Sequence, residues 1–283
     1  MPSQPFCGTV ISMKVPPVVL SIAGFDPSSG AGITADTKTA AAHGCYAVTC
    51  PTALTVQSTQ GVFEMRPLAP DFVRSTVRAL AADLDIIAVR VGMLGSSAVA
   101  QTVASILRDM GLRNIVLDPV LLSSSGTSLL EETGLPVLRK ELLPLADVIT
   151  PNLDEAAVLT GIEAAQTQAP WEEVLRWLRM VAATLHGLGS RAIVITGGHL
   201  PEANDYLSYV EDGIGREEIF AGTHIESGST HGTGCAFAMS IACHLALGQE
   251  LPQAVRLAKD YVTKAIQAAY PLGKGIGPVN HMV

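Results

Sequence analysis

Short, nearly continuous apolar runs alternate along the chain with segments whose apolar residues recur every three or four positions. The runs VVLSIA (18–23), AVTC (47–50), IIAVRV (86–91), IVLD (115–118), VIT (148–150) and AIVIT (192–196) read as strands covered on both faces. Between them, Val99, Val103, Ile106, Leu107 and Met110 keep helical spacing, as do Val174, Leu175, Leu178, Val181 and Leu185. This alternation predicts an α/β fold with a central, mostly parallel sheet. Later, YLSYV (206–210) and EEIFAG (217–222) flank the turn-rich EDGIG, which predicts an antiparallel hairpin at the sheet edge. Two closing helices are expected, from about Gly232 and from Leu251. No repeat, low-complexity tract or Pro/Ser linker divides the chain, so residues 15–283 are expected to form one domain behind a flexible N-terminal extension, 1–14.

Composition narrows the function. With 48% hydrophobic residues over 283 positions there is enough apolar surface for a sizeable core. Eighteen basic residues against 26 acidic ones leave a net charge of -8 and no basic stripe, which argues against nucleic acid or an anionic membrane as main partner. Any phosphate must then be held locally, by backbone amides and metal. Five cysteines without a CxxC pair or zinc-like His spacing point to reduced thiols and a cytoplasmic protein, with Cys45, Cys50 and Cys243 packed as small hydrophobes. The N-terminal MPSQPFCGTVISMKVPP lacks the pattern of a signal peptide, and no apolar run reaches the roughly 18 residues of a membrane span.

In parallel α/β sheets, ligands bind at the carboxyl ends of the strands, and polar and glycine residues gather there. After the first run comes GFDPSSGAGITADTKT, where Gly30 and Gly32 permit a tight turn and Asp36 falls about one turn into a helix. It matches neither a Walker loop nor a GxGxxG fingerprint, and a plain glycine turn is the competing reading. Asp118, in LDPVLLSSSGTSLL, precedes a Ser/Gly loop (123–126) that would suit a lid over substrate, beside a metal-bound water; an ordinary Asp-Pro turn competes. In ITPNLDEA, Asn152 and Glu155 can hold Mg2+ through waters or form a capping box. AIVITGGH puts Thr196, Gly197 and Gly198 where backbone can approach a phosphate. HGTGC opens a helix, so the amides of Gly232, Thr233, Gly234 and Cys235 should converge on an anion. A thiol at that helix start is expected to have a lowered pKa, which would let Cys235 serve as a base. The rival, a cysteine hydrolase, would need His231 as its base and has no visible third residue.

Taken together and in this order, SIAGFDPSSGAGITADTKT, ALTVQSTQGV, VGMLGS, VLDPVLLSSSG, ITPNLDEA, GGHL, STHGTGCAFA and GKGIGPVNH resemble the hydroxymethylpyrimidine/phosphomethylpyrimidine kinases of thiamine biosynthesis, in the ribokinase-like superfamily. The resemblance runs from about Val18 to Val283. It implies a three-layer sandwich, usually a homodimer, that uses ATP and Mg2+ to phosphorylate an aminopyrimidine's hydroxymethyl group and then the monophosphate. By resemblance, Gly24, Ala31, Asp36, Gln57, Met93 and Val120 line the pyrimidine pocket; Asp118, Asn152 and Glu155 serve Mg2+; HGTGC forms the anion hole, with Cys235 as base. Two departures stand out: Thr196 where the family usually has Lys, and Arg90 where it often has Lys. A cation lost near the phosphates should weaken catalysis, unless another such as Lys274 replaces it. Pyridoxal kinases of the same superfamily are the nearest rival, and a pyrimidine-binding protein without kinase activity is another.

Overall fold

A computed structural model describes residues 15–123 and 126–283. The expected extension, Cys7 and the centre of the Ser/Gly loop lie outside the described residues. In chain order the elements are β1 (Val18–Phe25), α1 (Gly32–Ala42), β2 (Tyr46–Ser58), β3 (Gly61–Pro67), α2 (Pro70–Asp83), β4 (Ile86–Val91), α3 (Ser97–Asp109), β5 (Ile115–Leu117), α4 (Gly134–Val137), β6 (Val148–Ile149), α5 (Leu153–Thr160), α6 (Trp171–Gly187), β7 (Ala192–Ile195), β8 (Asp205–Glu211), β9 (Ile214–Phe220), α7 (Thr233–Ala246) and α8 (Leu251–Gln267). A π-helical turn and a 3-10 turn continue α4 as far as Leu145.

All nine strands join one sheet in the order β3-β2-β1-β4-β5-β6-β7-β8-β9. The six from β2 to β7 pair in parallel; β3 at one edge and β8–β9 at the other are antiparallel. The side-chain alternation of a strand divides the core in two. Leu20, Ile22, Val89, Val91 and Ile193 face the layer carrying α2, α3, α5 and α6. Val19, Ala88, Val116 and Val194 face α7 and α8, packing on Phe237 and Ile241. Arg90, one strand step beyond Ala88, is therefore directed to the α7 side.

The predicted hairpin is present as β8 and β9, joined by Asp212 and Gly213, both at positive φ, the Asp-Gly pairing that a two-residue turn favours. Cys45, Cys50 and Cys243 are buried free thiols, as expected. The first antiparallel pair was not legible. The run AVTC is only the start of a 13-residue β2, which continues past Pro51 and folds back at Thr59–Gln60 into β3. Pro51 masks it, because proline argues against strand interior; here β3 hydrogen-bonds only to the segment after it, from Ala53 on. Among the described residues no helix is long and apolar enough to cross a membrane.

Candidate active site

The strands β1, β4, β5, β6 and β7 end on the same side of the sheet, and the loops singled out in the sequence meet there. Gly24 lies against Met93, since a Cβ on Gly24 would come within 2.7 Å of the Met93 sulfur. Met93, Ala53 and Leu129 form a small apolar cluster with Val62, Met65 and Val120. Three of the expected pocket residues are thus neighbours, and β3, which the sequence reading missed, adds Val62 and Met65.

Gln57 closes the polar side. Its amide oxygen accepts from Thr55 Oγ1 (3.0 Å), and its nitrogen lies 3.3 Å from His231 Nε2. The same Nε2 lies 2.8 Å from Asp26 Oδ2, where it donates. Asp26 also accepts from the N–H groups of Ser28, Gly30 and Ala31, which draws the GFDPSSGAG loop into a tight turn. Burial pushes the Asp26 carboxyl up, but the His231 and Ser28 hydrogen bonds outweigh it and hold the carboxyl below its ordinary range. His231 is thereby engaged by the substrate loop through Nε2, which weakens the cysteine-hydrolase alternative.

HGTGC opens α7 as expected. Gly232 sits at φ 87, and a Cβ there would fall 1.8 Å from the Gly30 carbonyl oxygen, so only glycine fits. No side chain caps the helix, and its first-turn N–H groups, those of Gly234 and Cys235 included, have no intrahelical acceptor. The Cys235 thiol differs from expectation. Burial raises its pKa to about 11; Arg90 pulls it down, Asp118 and Asp36 push it up, and the Gly32 N–H pulls it down again. Burial is what outweighs the helix start, and the two neighbouring carboxylates add to it.

Arg90 is the principal residue the sequence reading undervalued. Wholly buried, it donates from Nη1 to Asp36 Oδ2 (3.1 Å) and from Nη2 to Asp118 Oδ2 (2.5 Å), and it also bonds the Cys235 sulfur. Ser21, its register partner on β1, donates to the same Asp36 oxygen. A charge in the middle of an apolar strand buried on both faces was the available signal. Asp36 is fully covered: Oδ2 is engaged by Ser21 and Arg90, and Oδ1 is buried without a hydrogen-bond partner. Its pKa rises to about 6, because burial outweighs Arg90 and Ser21.

On the nucleotide side, Asn152 and Glu155 form a reciprocal capping box at the start of α5, with N–H to carboxylate 3.0 Å and N–H to amide oxygen 2.8 Å. Glu155 is nevertheless buried, and burial first, then nearby Asp118, raises its pKa to about 8. Among the described residues no three His, Cys, Asp or Glu side chains form a direct metal cluster. Gly197 and Gly198 turn out to differ. The Gly197 N–H donates to Asp205 Oδ1 (2.9 Å), and a Cβ there would meet the Asn204 carbonyl at 1.9 Å; Gly198 is exposed and open. Packing by itself requires glycine at 197. Lys259 on α8 completes this brace through Asp205 Oδ2 (2.8 Å) and the Ala203 carbonyl (2.7 Å). Lys274 does not replace the family's lysine at position 196. Its backbone N–H joins Thr59 at the β2–β3 turn, and β2 and β7 are separated by four intervening strands.

A groove of about 560 Å³ at the opposite, amino end of β6 and β7 is lined by charges paired among themselves, such as Arg191 with Asp147. The candidate site residues lie at the carboxyl end.

Comparison with known proteins agrees with this geometry. A hydroxymethylpyrimidine/phosphomethylpyrimidine kinase of Streptomyces coelicolor is 42% identical over 266 residues, covering 94% of this chain and 94% of that protein. The Bacillus subtilis pyridoxal kinase in its ADP complex superposes with a TM-score of 0.82 at 31% identity, covering 94% of this chain and 97% of that one. The phosphomethylpyrimidine kinase of Clostridium difficile superposes with a TM-score of 0.73 at 35% identity, covering 88% and 99%. A family model described as phosphomethylpyrimidine kinase matches residues 26–280. The chain belongs to the phosphomethylpyrimidine kinase family and is a phosphotransferase of ribokinase-like fold.

Proposed function

We propose that residues 15–283 act as one catalytic unit that transfers phosphate from ATP to the hydroxymethyl group of 4-amino-5-hydroxymethyl-2-methylpyrimidine and then to the resulting monophosphate. The observation that carries this reading is the meeting of an uncapped, glycine-opened helix start, bearing Cys235, with an apolar pocket rimmed by Gln57. Gly24, Met93 and Val120 hold the ring. Gln57 supplies hydrogen-bonding groups that an aminopyrimidine needs and an apolar wall would deny it, and the buried, unpartnered Asp36 Oδ1 would join them once substrate binding opens a path to it. The N–H groups of Gly234 and Cys235 face the phosphoryl group as its charge spreads.

In the first step the substrate O–H bond breaks, its proton passing to the Cys235 thiolate while its oxygen bonds the γ-phosphorus and ADP leaves. With its pKa at about 11 the resting Cys235 is a thiol, so the base role requires its proton to leave as substrate and Mg-ATP bind; Arg90, next to the sulfur, and the Gly32 N–H are the groups that favour the thiolate against burial and the two carboxylates. The second acceptor is already an anion, so Cys235 matters less there.

The residues at the ends of β5 and β6 fit Mg2+. Asp118 and Glu155 are both buried with pKa values raised first by burial, Asp118 adding to the rise at Glu155, a cost that a divalent cation would offset, and Asn152 adds an amide oxygen. Bound there, the ion would neutralise charge on the phosphates. Exposed Leu54, Val56 and Phe63 on β2 and β3 support a homodimer, testable by sedimentation.

The test is ADP release with Mg-ATP and, separately, the hydroxymethyl pyrimidine, its monophosphate and pyridoxal. Turnover with both pyrimidines and loss on chelating Mg2+ is expected. The high superposition on a pyridoxal kinase favours a second reading, which turnover with pyridoxal alone would establish. Pyrimidine binding without turnover, rescued by Thr196→Lys, would show a pocket that has lost its phosphate cation.

A further inference from the structure

The closing motif GKGIGPVNH has no part in the chemistry above, yet it runs through the site. Thr59 Oγ1 at the β2–β3 turn accepts from the N–H groups of Lys274 and Gly275. Further on, Pro278 forms a parallel bridge with His231: the His231 N–H donates to the Gly277 carbonyl (3.0 Å), and the Val279 N–H donates to the His231 carbonyl (3.1 Å). The motif ends in His281, which is buried with both ring nitrogens near oxygen. Nε2 lies 3.1 Å from the Gly30 carbonyl and Nδ1 lies 3.4 Å from Thr39 Oγ1, while the Tyr261 hydroxyl donates to the His281 carbonyl (2.8 Å).

Gly30 is where these contacts converge. A Cβ on it would strike the His231 ring at 2.3 Å and the Pro278 ring at 3.1 Å, and its carbonyl oxygen fills the space that a Cβ on Gly232 would need. Two residues on, the Gly32 N–H reaches the Cys235 sulfur. The Gly30 carbonyl therefore sets the spacing between the substrate loop and the phosphate-binding turn, and His281 is the side chain that bonds that carbonyl from behind. Burial first, with Lys38 and His231 adding, pushes the His281 pKa down to about 4, so the ring is neutral near pH 7. Its single N–H then belongs on Nε2, donating to Gly30, with Nδ1 left to accept from Thr39.

We propose that His281 is a positioning residue for phosphoryl transfer, holding the Gly30 carbonyl so that the Gly232–Cys235 turn and the substrate loop stay in register. This rests on reading HGTGC as the phosphate-binding turn. Turnover by the unaltered chain tests that reading separately, so inactivity of the parent would sink the activity, and only variants of an active parent bear on His281.

The experiment compares His281→Ala, His281→Gln and Tyr261→Phe with the parent, measuring kcat and KM for the hydroxymethyl pyrimidine, its monophosphate and ATP well below each melting temperature. Because a displacement of about 1 Å at a reacting centre costs up to roughly 100-fold, His281→Ala should lower kcat about tenfold with both pyrimidines and leave each KM within about twofold. The glutamine amide nitrogen can occupy the place of Nε2, so His281→Gln should recover to within about threefold of the parent. A folded His281→Ala variant with unchanged kcat, or a glutamine variant as impaired as the alanine one, would overturn the proposal. If His281→Ala does not fold, Tyr261→Phe decides. It removes the hydroxyl that bonds the His281 carbonyl and Thr39 Oγ1, the partner of Nδ1, while leaving the imidazole in place; a fall in kcat of about threefold at constant KM supports the proposal, while an unchanged kcat overturns it.

Discussion

Two cations, Arg90 wholly buried and Lys259 partly so, have surroundings that are opposite in kind. Lys259 faces one carboxylate, and the pair is closed: Lys259 also bonds the Ala203 carbonyl, and the second Asp205 oxygen accepts from Gly197. Arg90 faces two carboxylates and a thiol, and both Arg90 Nε and Asp36 Oδ1 are left without a partner. A closed pair fixes a loop and has nothing further to bind. An unbalanced cluster is costly on its own and gains when substrate or a cation completes it. The contrast assigns bracing to one and chemistry to the other.

The largest effect should come from removing the outnumbered cation. Arg90→Met leaves two buried carboxylates unpaired, and a loss of about 3–5 kcal/mol in urea unfolding is expected. Turnover should fall more than about 100-fold, measured as ADP release. Arg90→Lys, which restores charge without the fork, should recover much of the stability; if it behaves like Arg90→Met, the geometry rather than the charge holds the cluster. Next in size, Lys259→Met should cost roughly 3 kcal/mol, again by unfolding, since it orphans Asp205. Its kcat should stay far above that of Arg90→Met while the KM for ATP rises, and equal damage to kcat would erase the distinction between brace and chemistry.

A smaller effect separates the clusters by pH. The folded-state pKa of Asp36 is raised from 3.8 to about 6, so the folded chain holds that proton more tightly than the unfolded one. The stability this contributes is complete below the unfolded value and is lost as pH rises through about 6. Asp36→Asn should flatten that part of the stability profile in thermal melts from pH 4 to 7. Smallest of all, Gly198→Ala should leave turnover and melting temperature near the parent, because nothing lies within 4 Å of the added carbon. Gly232→Ala, aimed into the Gly30 carbonyl, should not.

The sequence made the strand-end loops legible because glycine, Asp-Pro and Asn-capped helix starts are local signals. It did not reveal which partner each loop would meet. Gly197 and Gly232 look alike in the chain, but the Asn204 carbonyl fills the space beside one and the Gly30 carbonyl that beside the other. In the sequence Arg90 stands out only as a departure from the family, whereas its two carboxylate partners come from 54 residues before it and 28 after it. Long-range pairing of that kind leaves no periodicity to read. The capping box of Asn152 and Glu155 was legible in full; what the fold added was the neighbouring Asp118, which turns a cap into a candidate for charge compensation.

The strap from Gly273 to His281 also bears on the order of assembly. It comes after every strand of the sheet in the chain, yet it supplies the backbone partners of His231 and the support of Gly30. During synthesis from the amino end, all nine strands are made before these contacts can form. The scaffold would thus precede its activity, and a released chain truncated before Gly277 would keep every strand and both core layers while lacking the contacts that hold His231 and Gly30.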